Sequence, residues 1–302
     1  MPNILDHIGN TRLLPLNHIG RMTGARIALK MEAENPTGSM KDRMALAMID
    51  AAEADGRLKA HGTVIEYTGG STGISLALVC AVKGYHCHIV TADAFAPEKL
   101  AHMQALGAEL TVLQSDNGRQ TEKLVKDMIA RAESIAAATG GMLTHQMQNR
   151  DQLVAYTKMA DEIWAQTNGR LDALVQAVGT AASIRGMATR LRQLKPDIQI
   201  IAVEPAESAV LSGGATGAHK IDGIGAGYVT PLWQEGLADS IEPVSTADAK
   251  AMAARLAKEE GILPGPSTGA NVTAALRVAE RMEEGAEIVT VMCDAGVKYL
   301  KE

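Results

Sequence analysis

Aromatic side chains are scarce in this 302-residue chain, which has one Phe, two Trp and five Tyr. A single-strand nucleic-acid binder needs stacking platforms, and any phosphate backbone calls for a basic surface. With 29 Lys and Arg against 35 Asp and Glu, and a net charge of −6, the chain offers neither, which argues against nucleic acid as a partner. Cysteine is scarce too. Cys80, Cys87 and Cys293 lack paired metal-ligand spacing, so neither a metal site nor a disulfide framework is expected; all three read as reduced, buried small hydrophobes of a cytoplasmic protein. Long apolar runs are also missing. Residues 74–82 reach about half the span that a bilayer requires, and residues 1–7 have neither the basic nor the apolar region of a signal peptide, so no membrane association is expected.

What the chain has is aliphatic. Hydrophobic residues make up 46% of it and methionine contributes 15, enough for a large core in a globular protein, and the length suits two domains. Strand patterns over 26–32, 63–66, 86–91, 109–113, 173–178, 198–203 and 288–293 alternate with helical ones. The helices are expected after residue 40 and over 74–81, 97–106, 120–138, 153–166, 183–194, 247–260 and 268–283. Such alternation predicts an α/β protein of two domains, each a mostly parallel twisted sheet flanked by helices, with ligands beyond the carboxyl ends of the strands. The expected division is 1–145 and 146–302, with segment 13–34 packing with the second domain.

Four loops at strand ends carry the chemistry. The first is Asn35-Pro36-Thr37-Gly38-Ser39-Met40-Lys41-Asp42-Arg43, where Ser39 is the expected helix cap and Lys41 falls in the first turn. The positive end of a helix dipole disfavours a cation, an environment suited to a lysine that must act as a neutral amine nucleophile. Thr68-Gly69-Gly70-Ser71-Thr72-Gly73 and Gly179-Thr180-Ala181-Ala182-Ser183 each bring backbone amides and hydroxyls to a helix start, the makings of an anion site. In the fourth, Gly265-Pro266-Ser267-Thr268-Gly269-Ala270, Ser267 is the expected cap. A tight turn with a cap explains any one of these loops. Together, an amine nucleophile and two anion cradles suit pyridoxal 5'-phosphate handling an amino acid.

The lysine motif resembles that of the cysteine synthase (O-acetylserine sulfhydrylase) and cystathionine β-synthase family of fold type II pyridoxal-phosphate enzymes, whose fold is like that of the tryptophan synthase β chain. Ile8-Gly9-Asn10-Thr11, Gln146, Asp161-Glu162-Ile163-Trp164, the run from His219 to Gly227 and Glu259-Glu260-Gly261-Ile262-Leu263 extend the likeness along nearly the whole chain. The resemblance implies that Lys41 bonds the cofactor's aldehyde, that Gly179, Thr180, Ala181, Ala182 and Ser183 hold its phosphate, and that Ser267 meets its pyridine nitrogen. It also implies that Thr68, Gly69, Gly70, Ser71 and Thr72 receive the substrate carboxylate together with Gln146, and that Ser71 stands where an asparagine reaches the cofactor. The implied reaction is β-replacement on a β-substituted L-amino acid by a small nucleophile, through an aminoacrylate intermediate, in a cytoplasmic homodimer. A β-eliminating lyase and a non-catalytic regulatory homologue are the alternatives.

Two departures from the family pattern bear on the substrate. Gly69 and Ser71 stand where serine and asparagine are usual, which removes one hydroxyl and one amide and leaves more room. The expectation is a bulkier or differently charged substrate, or a nucleophile other than sulfide. Ala181 and Ala182 replace two glycines, and phosphate binding is expected to survive if both are right-handed.

Overall fold

The computed structural model describes residues 2–21 and 23–300. In chain order the first elements are β1 (Leu13–Pro15), β2 (Arg26–Lys30), α1 (Lys41–Ala54), β3 (Thr63–Tyr67), α2 (Ser71–Lys83) and β4 (His86–Ala92). Next come α3 (Pro97–Ala105), β5 (Glu109–Leu113), α4 (Glu122–Thr139), β6 (Met142–Leu143) and α5 (Leu153–Gln166). The chain continues with β7 (Ala173–Ala177), α6 (Ala182–Leu194), β8 (Gln199–Pro205), β9 (Ser240–Val244), α7 (Thr246–Arg255), α8 (Pro266–Ala279) and β10 (Glu287–Val291). The helix expected over 247–260 ends at Arg255 and runs on as a π-helical turn, Leu256–Glu260.

The chain divides into two compact units, Met1–Ile8 with Lys41–Gln152, and Gly9–Met40 with Leu153–Glu302. Where the sequence pattern divides the chain at 145/146, the structure divides it at 152/153, and the second unit takes residues 9–40.

In the first unit β5, β4, β3 and β6 form a four-stranded sheet whose neighbours are all parallel. Ile65, Val90 and Ala92 on the sheet and Leu124, Met128, Ala132 and Ile135 on α4 make one of its cores. The apolar positions of α4 recur at three- and four-residue steps, so one face of that helix is buried and the other is solvated.

In the second unit the order is β1-β2-β10-β7-β8-β9, with β1 antiparallel to β2 and the other pairs parallel. All five residues of β7 are buried, as a central parallel strand with both faces covered requires. Residues 9–40 belong here for two reasons: Arg26–Lys30 pairs with Glu287–Val291, and the buried Lys30 ties into α5. Lys30 Nζ donates to Glu162 Oε2 at 2.7 Å, Gln166 Oε1 at 3.0 Å and the Thr11 carbonyl at 2.6 Å, and the Asn10 amide donates to Glu162 Oε1 at 3.0 Å.

Of the three cysteines, Cys80 and Cys87 are buried as expected. Cys293 is only half-buried, because it follows β10 at the open carboxyl end of the sheet. No helix among the described residues is long and apolar enough to cross a membrane.

Candidate active site

In the first unit, Lys41 is the opening residue of α1 and is half-buried. Ser39, the expected cap, lies two residues before the first residue of the helix and pairs with Asp294 in an isolated antiparallel bridge within the second unit. The start of α1 is tied to α2 by Ser75 Oγ, which donates to Asp42 Oδ1 at 2.6 Å in a buried pair. The lysine helix and the helix that opens on Ser71 are therefore joined near their starts.

The loop before α2 starts from Thr68, whose amide donates to the Val90 carbonyl at 3.0 Å. Gly70 caps α2 with extended backbone and no side-chain bond, and its amide donates to Thr68 Oγ1 at 3.2 Å. Thr72, almost fully buried, donates from Oγ1 to Gln146 Oε1 at 2.7 Å, so the structure brings Gln146 to the loop. The room expected beside Gly69 is absent. A Cβ there would stand 1.9 Å from Cγ of Phe95, 2.1 Å from Cδ1 and 2.2 Å from Cδ2, so the only phenylalanine of the chain occupies that space.

Sequence reasoning passes over Glu66. Its side chain is fully buried at the end of β3, where Oε2 accepts from Thr144 Oγ1 at 2.6 Å and the Gln146 amide at 2.9 Å, and Oε1 accepts from the Tyr67 amide at 2.9 Å. Burial pushes its carboxyl up to about 7, against three hydrogen bonds that favour the ionised form.

In the second unit, Gly179 follows β7 and Val178, and a Cβ on it would lie 2.4 Å from the Gly223 carbonyl oxygen. That close approach requires glycine. The loop is pinned by the Gly225 amide, which donates to the Val178 carbonyl at 2.9 Å, and by Thr230 Oγ1, which donates to the Thr180 carbonyl at 3.0 Å. Ala182 opens α6 in helical conformation, but Ala181 contradicts the right-handed expectation: it is left-handed, at φ 69° and ψ −3°. A left-handed alanine costs about 1–2 kcal/mol, and such strain clusters where a loop is shaped for a ligand. Ala181 caps α6 without a side-chain hydrogen bond of its own; Thr180 Oγ1 accepts from the Ala182 amide at 3.3 Å, and the hydroxyls of Thr180 and Ser183 flank the helix start. Behind it the buried Gln176 donates from Nε2 to Ser183 Oγ at 3.1 Å.

Ser267 is buried and is the second residue of α8, not its cap, which is Gly265. Below it, Thr268 Oγ1 accepts from the Cys293 amide at 3.1 Å. Nearby in this unit the buried Asp294 accepts from the Tyr299 hydroxyl at 2.7 Å, and burial together with Asp294 pushes that phenol up.

A helix start strained into a cradle and flanked by two hydroxyls fits a phosphate, and a lysine opening another helix fits an aldehyde. The sequence profile of the family described as pyridoxal-phosphate dependent enzyme matches residues 4–294. The chain belongs to this family. Its cofactor is accordingly pyridoxal phosphate. Among similar members, a cysteine synthase of Staphylococcus aureus is 37% identical over 300 residues, covering 99% of this chain and 95% of the relative. The crystal structure of O-acetyl serine sulfhydrylase isoform 3 from Entamoeba histolytica superposes with a TM-score of 0.94 at 38% identity, covering 100% of this chain and 90% of that one. The O-acetylserine dependent cystathionine beta-synthase of Helicobacter pylori gives 0.92 at 32% identity, covering 100% and 98%.

Proposed function

We propose that the protein catalyses β-replacement on a β-substituted L-amino acid, in the manner of a cysteine synthase. The observation that carries this is the end-to-end likeness to a cysteine synthase and an O-acetyl serine sulfhydrylase at 37% and 38% identity. The strained α6 start and the helix-opening Lys41 support it from the chain's own geometry.

When bound, pyridoxal phosphate supplies an aldehyde for an amine and a sink for electrons from the α-carbon. In this reading Lys41 Nζ would hold the cofactor's aldehyde carbon and would serve as general base for the substrate's α-proton. The amides and hydroxyls of Gly179, Thr180, Ala181, Ala182 and Ser183 hold the phosphate. Ser267 would hold the pyridine nitrogen and, as a hydroxyl, would not keep a proton on it as a carboxylate would, a choice that suits loss of a β leaving group better than racemisation. Thr68, Gly69, Gly70, Ser71, Thr72 and Gln146 hold the substrate carboxylate, with Ser71 also facing the cofactor. The working form in this reading is a cytoplasmic homodimer, for which sedimentation at twice the chain mass is the expected result.

The test combines chemistry and turnover. Borohydride reduction of the purified protein is expected to fix the cofactor on Lys41, Lys41→Ala to lose the visible absorbance, and the native protein to make cysteine from O-acetylserine and sulfide. Trapping on another lysine would remove Lys41 from its role; absence of any β-replacement with a panel of β-substituted amino acids and small nucleophiles would sink the reaction.

A further inference from the structure

Glu66 has no part in the reaction just described, yet it is a fully buried carboxylate of the first unit with three hydrogen bonds. Its three partners are all donors and none is a cation: the Thr144 hydroxyl, the Gln146 amide and the Tyr67 amide. Taking an unpaired charge out of water costs several kcal/mol, and an apolar side chain would pack between β4 and β6 at no such expense. A polar group kept in such a place specifies geometry. Here one carboxylate oxygen fixes Tyr67, which leads directly into Thr68, and the other fixes Gln146. The Gln146 carbonyl accepts from Gln152 Nε2 at 2.7 Å, and its side-chain oxygen accepts from Thr72 Oγ1 at 2.7 Å. Residues from three separate stretches of the unit, the end of β3, the start of α2 and the segment after β6, are thus held in register by a single side chain.

We propose that Glu66 is a positioning residue for the amino-acid substrate: its carboxylate locks Gln146 onto Thr72, so that the loop presents its amides and hydroxyls to the substrate's α-carboxylate in one fixed arrangement. The proposal rests on the reading of residues 68–72 and Gln146 as the carboxylate site. Glu66 itself touches neither substrate nor cofactor. Its effect is on binding of the amino acid, not on the proton transfer at Lys41 or on cofactor retention.

The holoenzyme variant Glu66→Gln keeps the shape and volume but turns an NH2 toward groups that are themselves donors. The Michaelis constant for O-acetylserine, or for the amino acid that the native enzyme uses best, is expected to rise about tenfold, the size of one lost hydrogen bond to a charged group. The turnover number is expected to stay within about twofold, and the cofactor dissociation constant to be unchanged. Independently of turnover, hydrogen exchange at the Gln146 amide is expected to quicken about tenfold, as its acceptor is lost. Gln146→Ala is measured alongside. If it leaves the Michaelis constant unchanged, the carboxylate-site reading has failed; if it raises the constant while Glu66→Gln does not, Glu66 is no positioning residue. A parallel collapse of turnover, affinity and cofactor retention in Glu66→Gln would also overturn the proposal in favour of a role in the fold alone. Should Glu66→Gln not fold, Thr144→Val removes the shortest of the three bonds and keeps the carboxylate. It is expected to raise the Michaelis constant about threefold, a smaller loss because the two backbone amides still hold the carboxylate, and an unchanged value refutes the proposal.

Discussion

Serine at position 69 is the substitution that the loop's own chemistry invites and that the packing forbids. The three Phe95 ring atoms at 1.9–2.2 Å from where its Cβ would stand must retreat by about 1.5 Å to reach ordinary contact distance. The ring is half-buried with Tyr67, Leu113 and Leu143 against the Ile65, Val90 and Leu124 cluster, which leaves two ways out. Swinging into solvent forfeits about 1–2 kcal/mol of burial for a half-buried phenylalanine. Holding the ring in place and shifting the 68–70 backbone is overpacking, at about 1–3 kcal/mol. Both routes put Gly69→Ser near 2 kcal/mol of destabilisation. Phe95→Ala alone should cost about 2 kcal/mol, roughly half the value for a fully buried ring. The double variant has no ring to displace. It should therefore be destabilised by about 2 kcal/mol and not the additive 4, a coupling of about −2 kcal/mol in urea unfolding midpoints at constant slope. Additivity to within about 0.5 kcal/mol would refute the close approach. The same geometry predicts that Gly69→Ser with Ser71→Asn improves the use of O-acetylserine only when Phe95→Ala accompanies it, and a gain without that change would count equally against it.

Glu66 titrates near 7 in the fold against an ordinary 4.5, so the folded state binds its proton more tightly than the unfolded chain. The stabilising contribution is complete below pH 4.5 and is lost as the pH rises through 7, about 3 kcal/mol in all, whereas Glu66→Gln cannot titrate. Between pH 4.5 and 8 the stability difference should shift by about that amount in the variant's favour, and a difference in urea midpoints that does not move with pH would refute the burial argument. Ala181→Gly removes about 1 kcal/mol of left-handed strain but adds about 0.5–1 kcal/mol of chain entropy and loses a buried methyl worth about 0.8 kcal/mol, so it should unfold within about 1 kcal/mol of the native protein. Ala181→Val, branched at a positive φ, should cost at least about 2 kcal/mol in the same assay, and equal stability of the two variants would contradict the left-handed assignment. Thr180→Val should raise the cofactor dissociation constant about tenfold on dialysis, since a hydroxyl to a phosphate is a charge-assisted bond; an unchanged constant would take that hydroxyl out of the cradle.

Elements with a full period of their own were legible in the sequence. The reading of 153–166 coincides with α5 and that of 109–113 with β5, because each carries enough apolar repeats to be recognised without its neighbours. The strands that escaped notice are β1, β6 and β9. The first two span three and two residues, and β1 and β9 are edge strands that each contain a proline, so pairing partners define them and no internal pattern does. α2 begins at Ser71, three residues before its apolar repeat, since the extended Gly70 caps a first turn made of small polar residues. The site divides in the same way. Its Gly, Ser and Thr loops announce themselves by composition, whereas Glu66 sits in a strand where a charge normally marks a solvated face, and only the burial of both faces of β3 reveals it. The left-handed Ala181 likewise sits in a loop pinned by residues 223–225, about 40 positions away, in a conformation that alanine itself does not prefer.

The pairing of β2 with β10 has a consequence during synthesis. The four-stranded unit has all its strands and helices between Lys41 and Gln152, so it is complete while the remainder is still being translated. Arg26–Lys30, made before any strand of that unit, must wait for Glu287–Val291. At about 5–20 residues per second, the stretch from Leu153 to Val291 takes about 7–30 s to emerge, and throughout that time β2 is a nascent strand with one edge open. An unpaired apolar edge of that kind is a template for aggregation. The arrival of β10 closes it, pairing at once with β2 and with β7. A nonsense mutation shortly before Glu287 would therefore leave a folded four-stranded unit tethered to an open, adhesive edge, which makes such truncations candidates for chaperone capture and degradation in place of partial function.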